Sequence, residues 1–200
     1  MLYCGPLNNV RFKESLLFEF TGILPDWLVE TGEESFFRFP FEYNHHVYDD
    51  DGSPFFGKQL YHINYGVDSN APPFVFILTK LLENELIKKI DINAKYEDLI
   101  RIIVNGQTSV NRPPAHMDDD ISSDIWTMLY YVTDCSGDTI FFDTQKNMKV
   151  VHKVKYKKGK IVIFPSSFMH QALPPKNGWR VSIGMMFKMK SSLNKHIFSI

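Results

Sequence analysis

Trp126-Thr127-Met128-Leu129-Tyr130-Tyr131-Val132-Thr133 is followed, past the turn formers Ser136-Gly137-Asp138, by Thr139-Ile140-Phe141-Phe142. Both runs are aromatic and β-branched, the side chains that fit a pleated, half-buried surface. Gly beside Asp between them supplies turn chemistry. Two strands are predicted here, and the same texture spreads outward from them. Leu99-Ile100-Arg101-Ile102-Ile103-Val104-Asn105 lies ahead of them, a nearly continuous apolar run that should be buried. Lys149 to Tyr156 comes after, then Lys160-Ile161-Val162-Ile163-Phe164 behind Lys158-Gly159, and finally Arg180 to Lys188. Short strands at regular spacing with turns between them predict a mainly β fold, an antiparallel sandwich or jelly roll.

Upstream the pattern is mixed. Phe12, Phe18 and Phe20 fit one or two strands, and a short helix is predicted over Pro25-Asp26-Trp27-Leu28-Val29-Glu30, stopping before Gly32. Phe36 to Tyr43 reads as a strand, with Phe36, Phe37, Phe39 and Phe41 assigned to the core. Asp49-Asp50-Asp51-Gly52-Ser53-Pro54 is turn chemistry, and Gln59 to Tyr65 reads as another strand. Phe74, Ile77, Leu78, Leu81, Leu82 and Leu86 recur at helical spacing after Pro72-Pro73, which predicts a helix from Phe74 to Ile90. It should pack on the outside of a sheet and do no chemistry. Neither a repeat nor a linker divides the chain. One domain over residues 1–200 is expected, with 1–97 as helix and strand support and 98–190 as the β-core.

A chain of 200 residues, 44% hydrophobic and 14% aromatic, can bury a substantial core. Twenty-two Lys and Arg against 23 Asp and Glu give no overall charge that would call for nucleic acid. Lys153, Lys155 and Lys157 alternate with Val154 and Tyr156, which describes a charged outer strand face and not a polyanion site. No run approaches the roughly 18 apolar residues of a membrane span. The first residues, Met1-Leu2-Tyr3-Cys4-Gly5-Pro6, lack a secretory pattern, and Cys4 and Cys135 make no disulfide framework. A cytoplasmic protein is the expectation.

Pro113-Pro114-Ala115-His116-Met117-Asp118 carries the chemistry. The proline pair favours an extended approach, and in extended chain residues two apart point to one side. An imidazole and a carboxylate can thus lean onto one ion. A third ligand has to come from elsewhere, and His170, after Ile161-Val162-Ile163-Phe164 and the bend Pro165-Ser166-Ser167, is the candidate. Two imidazoles and a carboxylate on one face of an ion leave its other positions open, as in non-heme Fe(II) oxygenases. Farther on, Trp179-Arg180-Val181-Ser182 sets Arg180 and Ser182 on one face of an otherwise apolar strand. A guanidinium there is costly unless a carboxylate meets it, and its fork suits one. Asp119, Asp120, Ser122, Ser123 and Asp124 read as a loop over the site, and His45-His46 as a surface turn.

His116-x-Asp118, then His170, then Arg180-x-Ser182 resembles the Fe(II)- and 2-oxoglutarate-dependent dioxygenases, within them the prolyl 4-hydroxylase-like branch. Arg101 to Thr108, Thr127 to Val132, Gly137 to Phe142 and Lys158 to Phe164 resemble, in order, the strands and turns around that motif. The resemblance implies a double-stranded β-helix, that is a jelly-roll core, with N-terminal helices packed on one sheet. It implies Fe(II) on His116, Asp118 and His170, and 2-oxoglutarate held by Arg180, Ser182 and Tyr131, with Asn105 and Gln107 near its other end. Tyr130 should face away. It also implies O2 as co-reactant, release of succinate and CO2, and ascorbate as a further cofactor. The hydroxylated substrate would be a peptidyl residue of the proline type or a small metabolite. Ser109-Val110-Asn111-Arg112-Pro113-Pro114 departs from the family's pattern, so the substrate is left open. Two alternatives stand beside this: a non-catalytic jelly roll, and a cupin-like metal-binding one without 2-oxoglutarate.

Overall fold

A computed structural model describes residues 12–38, 42–44, 55–110, 112–119 and 122–197. Its strands are β1 (Phe18–Phe20), β2 (Glu42–Asn44), β3 (Phe55–His62), β4 (Gly66–Val67), β5 (Lys95–Gln107), β6 (Ile125–Tyr131), β7 (Thr139–Asp143), β8 (Lys149–Val154), β9 (Ile161–Pro165), β10 (His170–Ala172) and β11 (Arg180–Lys190). They form an antiparallel sheet in the order β1-β9-β6-β11-β5-β3-β2, with β4 beside β3, and a smaller one in the order β10-β7-β8. Two such sheets facing one another make the jelly roll that the strand pattern predicts.

Alternation along the strands gives the large sheet two unlike faces. On one, Trp126, Met128, Tyr130, Ile161, Ile163, Ile183, Met185 and Phe187 are fully buried. The N-terminal helices lie on this side, with the Phe74 ring 5.2 Å from that of Tyr130. On the other face, registration sets Arg180 opposite Gln107, Ser182 opposite Asn105 and Met186 opposite Arg101. It also sets Ser182 opposite Tyr131 and Met186 opposite Thr127. This second face looks toward the small sheet: Phe164 meets Phe141 edge-on at 5.0 Å, and the Tyr131 and Thr139 hydroxyls are 2.7 Å apart.

Helix α1 runs Asp26–Phe37, straight through Gly32. The expected stop is absent because Gly32 serves packing: a Cβ there would sit 2.8 Å from the Phe74 ring. The strand read from Phe36 is accordingly the end of α1, followed by β2 at Glu42–Asn44. Phe36 is buried as expected, but Phe37 is 64% exposed, one helical step off the apolar face. Phe39, Phe41 and the turns at 45–46 and 49–54 lie outside the described residues. β3 starts earlier than Gln59 and ends at His62.

The helix after Pro72-Pro73 is α2 (Pro73–Leu81), continuing through a π-helical turn, Leu82–Leu86, into α3 (Ile87–Ile90). Leu78, Leu82 and Leu86 are all fully buried. Four-residue spacing drifts around a 3.6-residue helix, and one wider turn brings the row back into line. Lys153, Lys155 and Lys157 are exposed while Val154 and Tyr156 are buried, as their alternation requires. No described helix is long and apolar enough to cross a membrane.

Candidate active site

His116 and His170 are locked together by the backbone. Each donates its N–H to the other's carbonyl at 2.9 Å, a single bridge that joins the Pro113–Asp118 segment to β10. The Asp118 N–H is tied in turn to the Ser166 carbonyl at 2.9 Å. Extended backbone then directs both His116 and Asp118 to one side, as their spacing predicts.

The side chains are oriented by partners of their own. His170 Nδ1 lies 2.9 Å from the Phe168 carbonyl and His116 Nδ1 lies 3.2 Å from that of Pro114. A carbonyl accepts only, so each Nδ1 carries a hydrogen and each ring turns its Nε2 toward Asp118. The Thr127 hydroxyl donates to Asp118 Oδ2 at 2.7 Å and lies 2.8 Å from the Ser166 hydroxyl. His116 Nε2 is 3.7 Å from Asp118 Oδ1, and His170 Nε2 is 3.9 Å from Asp118 Oδ2. One ligand atom from each of the three residues lies within 4.8 Å of the others. Divalent transition ions bond such donors at roughly 2.0–2.2 Å, so this cluster could hold one ion.

Electrostatics suit that use. Burial and the positive character of His116 push the His170 imidazole down to about 4, so it is neutral and able to ligate. Burial alone would raise the Asp118 carboxyl, but His170, His116, the Thr127 hydroxyl and Arg101 outweigh it and hold Asp118 below the usual carboxylate range. The pair is thus a neutral imidazole beside an ionised carboxylate. Phe164 stands edge-on to His170 at 5.0 Å and Phe141 lies 5.9 Å away, which keeps water from that ligand.

Arg180 is 2% exposed. Its Nε donates to the Gly137 carbonyl at 2.9 Å, and Nη1 donates to Gln107 Oε1 and to the Ser182 hydroxyl, both at 3.1 Å. Nη2 donates to the Thr139 hydroxyl at 3.0 Å. All four acceptors are neutral, and no carboxylate lies within ion-pair distance of it among the described residues. The rings of Tyr156 and Tyr131 lie 4.9 and 5.6 Å from the guanidinium carbon. A buried charge with only dipoles around it is incompletely compensated, and an entering anion completes it. Gly137 allows this socket: a Cβ there would sit 2.5 Å from the Leu173 carbonyl and 2.9 Å from Arg180 Cδ.

Gln107, expected near the other end of the oxoacid, lies instead against Arg180 and adds a second signal. Its Oε1 is occupied by Arg180, while its Nε2 is buried with no partner. A buried amide donor without an acceptor is unfavourable, and a ligand oxygen in the socket would satisfy it. Tyr131 shares the face, but its hydroxyl is engaged by Thr139, and burial pushes the phenol up to about 12, so it stays protonated. Tyr130 points the other way, toward Phe74. Asn105 is half-buried opposite Ser182 on the same face. Among the loop residues, Asp120 lies outside the described ones.

Sequence reasoning missed Thr127, Thr139 and Ser166 as supports of these groups. Thr127 could have been found, since it shares a strand face with Tyr131. Ser166 could not, because its role depends on a backbone contact with Asp118 across the bend.

Three potential metal ligands and a buried, uncompensated arginine thus lie inside one jelly roll. The sequence profile of the 2OG-Fe(II) oxygenase superfamily matches residues 108–188 of this chain, the stretch from the end of β5 through most of β11. No curated protein matches it in sequence. Among solved structures, a Pseudomonas putida prolyl-4-hydroxylase superposes with a TM-score of 0.59 at 17% identity, over 88% of this chain and 94% of that one. A Trichoplax adhaerens prolyl hydroxylase, solved with a hypoxia inducible factor oxygen degradation domain peptide fragment, gives 0.62 at 14% identity over 94% and 89%. HygX from Streptomyces hygroscopicus, solved with nickel, 2-oxoglutarate and hygromycin B, gives 0.61 at 10% identity over 86% and 82%. At these identities the likeness is one of fold.

Proposed function

We propose that the chain hydroxylates an unactivated C–H position of a proline-type peptidyl residue or of a small metabolite, consuming 2-oxoglutarate and O2 and releasing succinate and CO2. The observation that carries this reading is the pairing of the His116–Asp118–His170 cluster, anchored on β10 of the small sheet, with the uncompensated charge of Arg180 on β11 of the large one. His116, Asp118 and His170 would hold Fe(II). Arg180, Ser182 and the Nε2 of Gln107 would take a carboxylate of 2-oxoglutarate.

When bound, the ferrous ion and the oxoacid supply the oxidising power; the protein supplies orientation and exclusion of water. Thr127 holds one Asp118 oxygen and leaves the other for the metal. The Phe168 and Pro114 carbonyls fix both imidazoles with Nε2 inward. Phe141 and Phe164 stand against the buried His170 ring, so charge interactions around it are weakly screened. Tyr131 and Asn105 line the space between Arg180 and the metal cluster. The likeness in fold to prolyl hydroxylases favours a peptidyl substrate, and the likeness to HygX keeps a small molecule in view. A cupin-like metal site without 2-oxoglutarate has no use for Arg180, which argues against that alternative.

Incubation of the purified protein with Fe(II), 2-oxoglutarate, O2 and ascorbate, against a panel of proline-containing peptides and free amino acids, tests the reading. Succinate and a product heavier by one oxygen atom are expected together. Succinate formation that ignores added Fe(II), or its absence with every candidate and without one, would overturn it.

A further inference from the structure

Arg101 lies on the same sheet face as Arg180 but at the other end of it. Across the strands its row reads His62 on β3, Arg101 on β5, Met186 on β11 and Thr127 on β6. Thr127 holds Asp118. Neighbouring strands are about 4.8 Å apart, so the Arg101 backbone is roughly two strand spacings from the residue that positions a metal ligand. An arginine side chain spans most of that, and its charge is felt at Asp118.

Unlike Arg180, Arg101 has no acceptors built for it. Its Nε is buried and without a partner, and its side chain makes no hydrogen bond or ion pair among the described residues. His62, across from it, is otherwise engaged: its Nδ1 accepts from the Asn64 N–H at 3.1 Å, and its ring lies 4.9 Å from that of Tyr65. Met186, its other neighbour, is apolar and 9% exposed. A guanidinium beside a metal centre, with a buried N–H lacking an acceptor, is open to a planar anion.

A cosubstrate anchored on Arg180 reaches the metal cluster from the Gln107–Ser182 end. Arg101 lies at the opposite end of that face from Arg180, in the row of Thr127, so it borders the cluster away from the anion socket and is available to a second molecule. We infer that Arg101 receives a carboxylate of the substrate, so that the enzyme selects carboxylate-bearing molecules and sets their reacting carbon beside the metal. This rests on the oxygenase reading and narrows it to a substrate class: a free amino or organic acid, or a peptide with an acidic group near the target residue.

The test uses Mn(II)-loaded full-length protein saturated with 2-oxoglutarate, and compares proton relaxation of acetate with that of acetamide. Acetate should show the larger paramagnetic enhancement. R101Q should bring acetate down to the acetamide level, a weakening of at least about tenfold for the loss of a charge-assisted contact, and R101K should retain part of the excess. Far-UV circular dichroism and the urea midpoint should be the same in all three proteins, which reports that each is folded, and the probes are compared at saturating Mn(II) and 2-oxoglutarate. Equal enhancement of the two probes in the native protein would overturn the inference, as would an acetate excess that survives R101Q. Failure of Mn(II) to bind, or binding indifferent to His170→Ala, would instead sink the oxygenase reading and this inference with it. With a substrate in hand, acid and amide forms should differ in kcat/KM in the native enzyme and converge in R101Q.

Discussion

Val181, Ile183, Met185 and Phe187, on one side of β11, belong to the apolar core under the N-terminal helices. Arg180, Ser182, Gly184 and Met186, on the other, face the interior between the sheets with Gln107, Asn105, Ile103 and Arg101 opposite them. One eleven-residue strand is therefore both a support and a reaction surface, divided by nothing more than a two-residue period. The comparison teaches that stability and chemistry are carried by alternate residues. Neighbours in sequence should therefore respond to substitution in opposite ways.

The largest separation is expected from Phe187, fully buried on the core side. Phe187→Ala should cost about 3–5 kcal/mol of stability, read from urea unfolding, while the folded fraction keeps its 2-oxoglutarate affinity. A changed cosubstrate affinity at unchanged stability would break the division of faces. On the site side, Arg180→Gln should raise the 2-oxoglutarate concentration needed for half-maximal turnover by roughly 30- to 1000-fold, the usual effect of truncating one partner of a buried charge pair. Ferrous affinity should stay as it was, and an equal loss of iron binding would contradict the separate roles.

The smallest effect is a pH slope in the metal-free protein. His170 titrates near 4 when folded and near 6.5 when free. The unfolded chain then binds a proton between these values that the folded chain does not. Its contribution is present above pH 6.5 and is lost as pH falls toward 4, by about 3 kcal/mol at most. Asp118, held below its ordinary value, adds to the loss only at lower pH. His170→Gln should flatten the slope in denaturant melts between pH 4 and 6.5; an unchanged slope would place the titration elsewhere.

The β-core was readable because strand alternation is a local signal, and each run from Leu99 to Lys188 carries it. His116, Asp118 and Arg180 were readable for the same reason: the two-residue period fixes which neighbours share a side. What lay beyond reach depended on partners distant in the chain. Gly32 looks like a helix end until Phe74 is found against it. The orphaned Gln107 amide follows from Arg180 taking its oxygen, a contact between β5 and β11. Arg101 in an apolar run is silent in sequence, and its meaning appears only when cross-strand registration puts it in the Thr127 row. The π-turn at Leu82–Leu86 shows only as the four-residue spacing of Leu78, Leu82 and Leu86, which becomes readable once all three are known to be buried on one side.

The central claim is that three side chains share one ferrous ion and that a carboxylate seated on Arg180 completes the centre. Anaerobic titration of Fe(II) into protein with 2-oxoglutarate, followed by the visible charge-transfer absorption of the chelate, tests it most directly. One band saturating at one iron per chain is predicted, lost in His170→Ala and recovered in Arg180→Gln only at much higher 2-oxoglutarate. A band of full intensity in His170→Ala, or none in the native protein, would contradict the account.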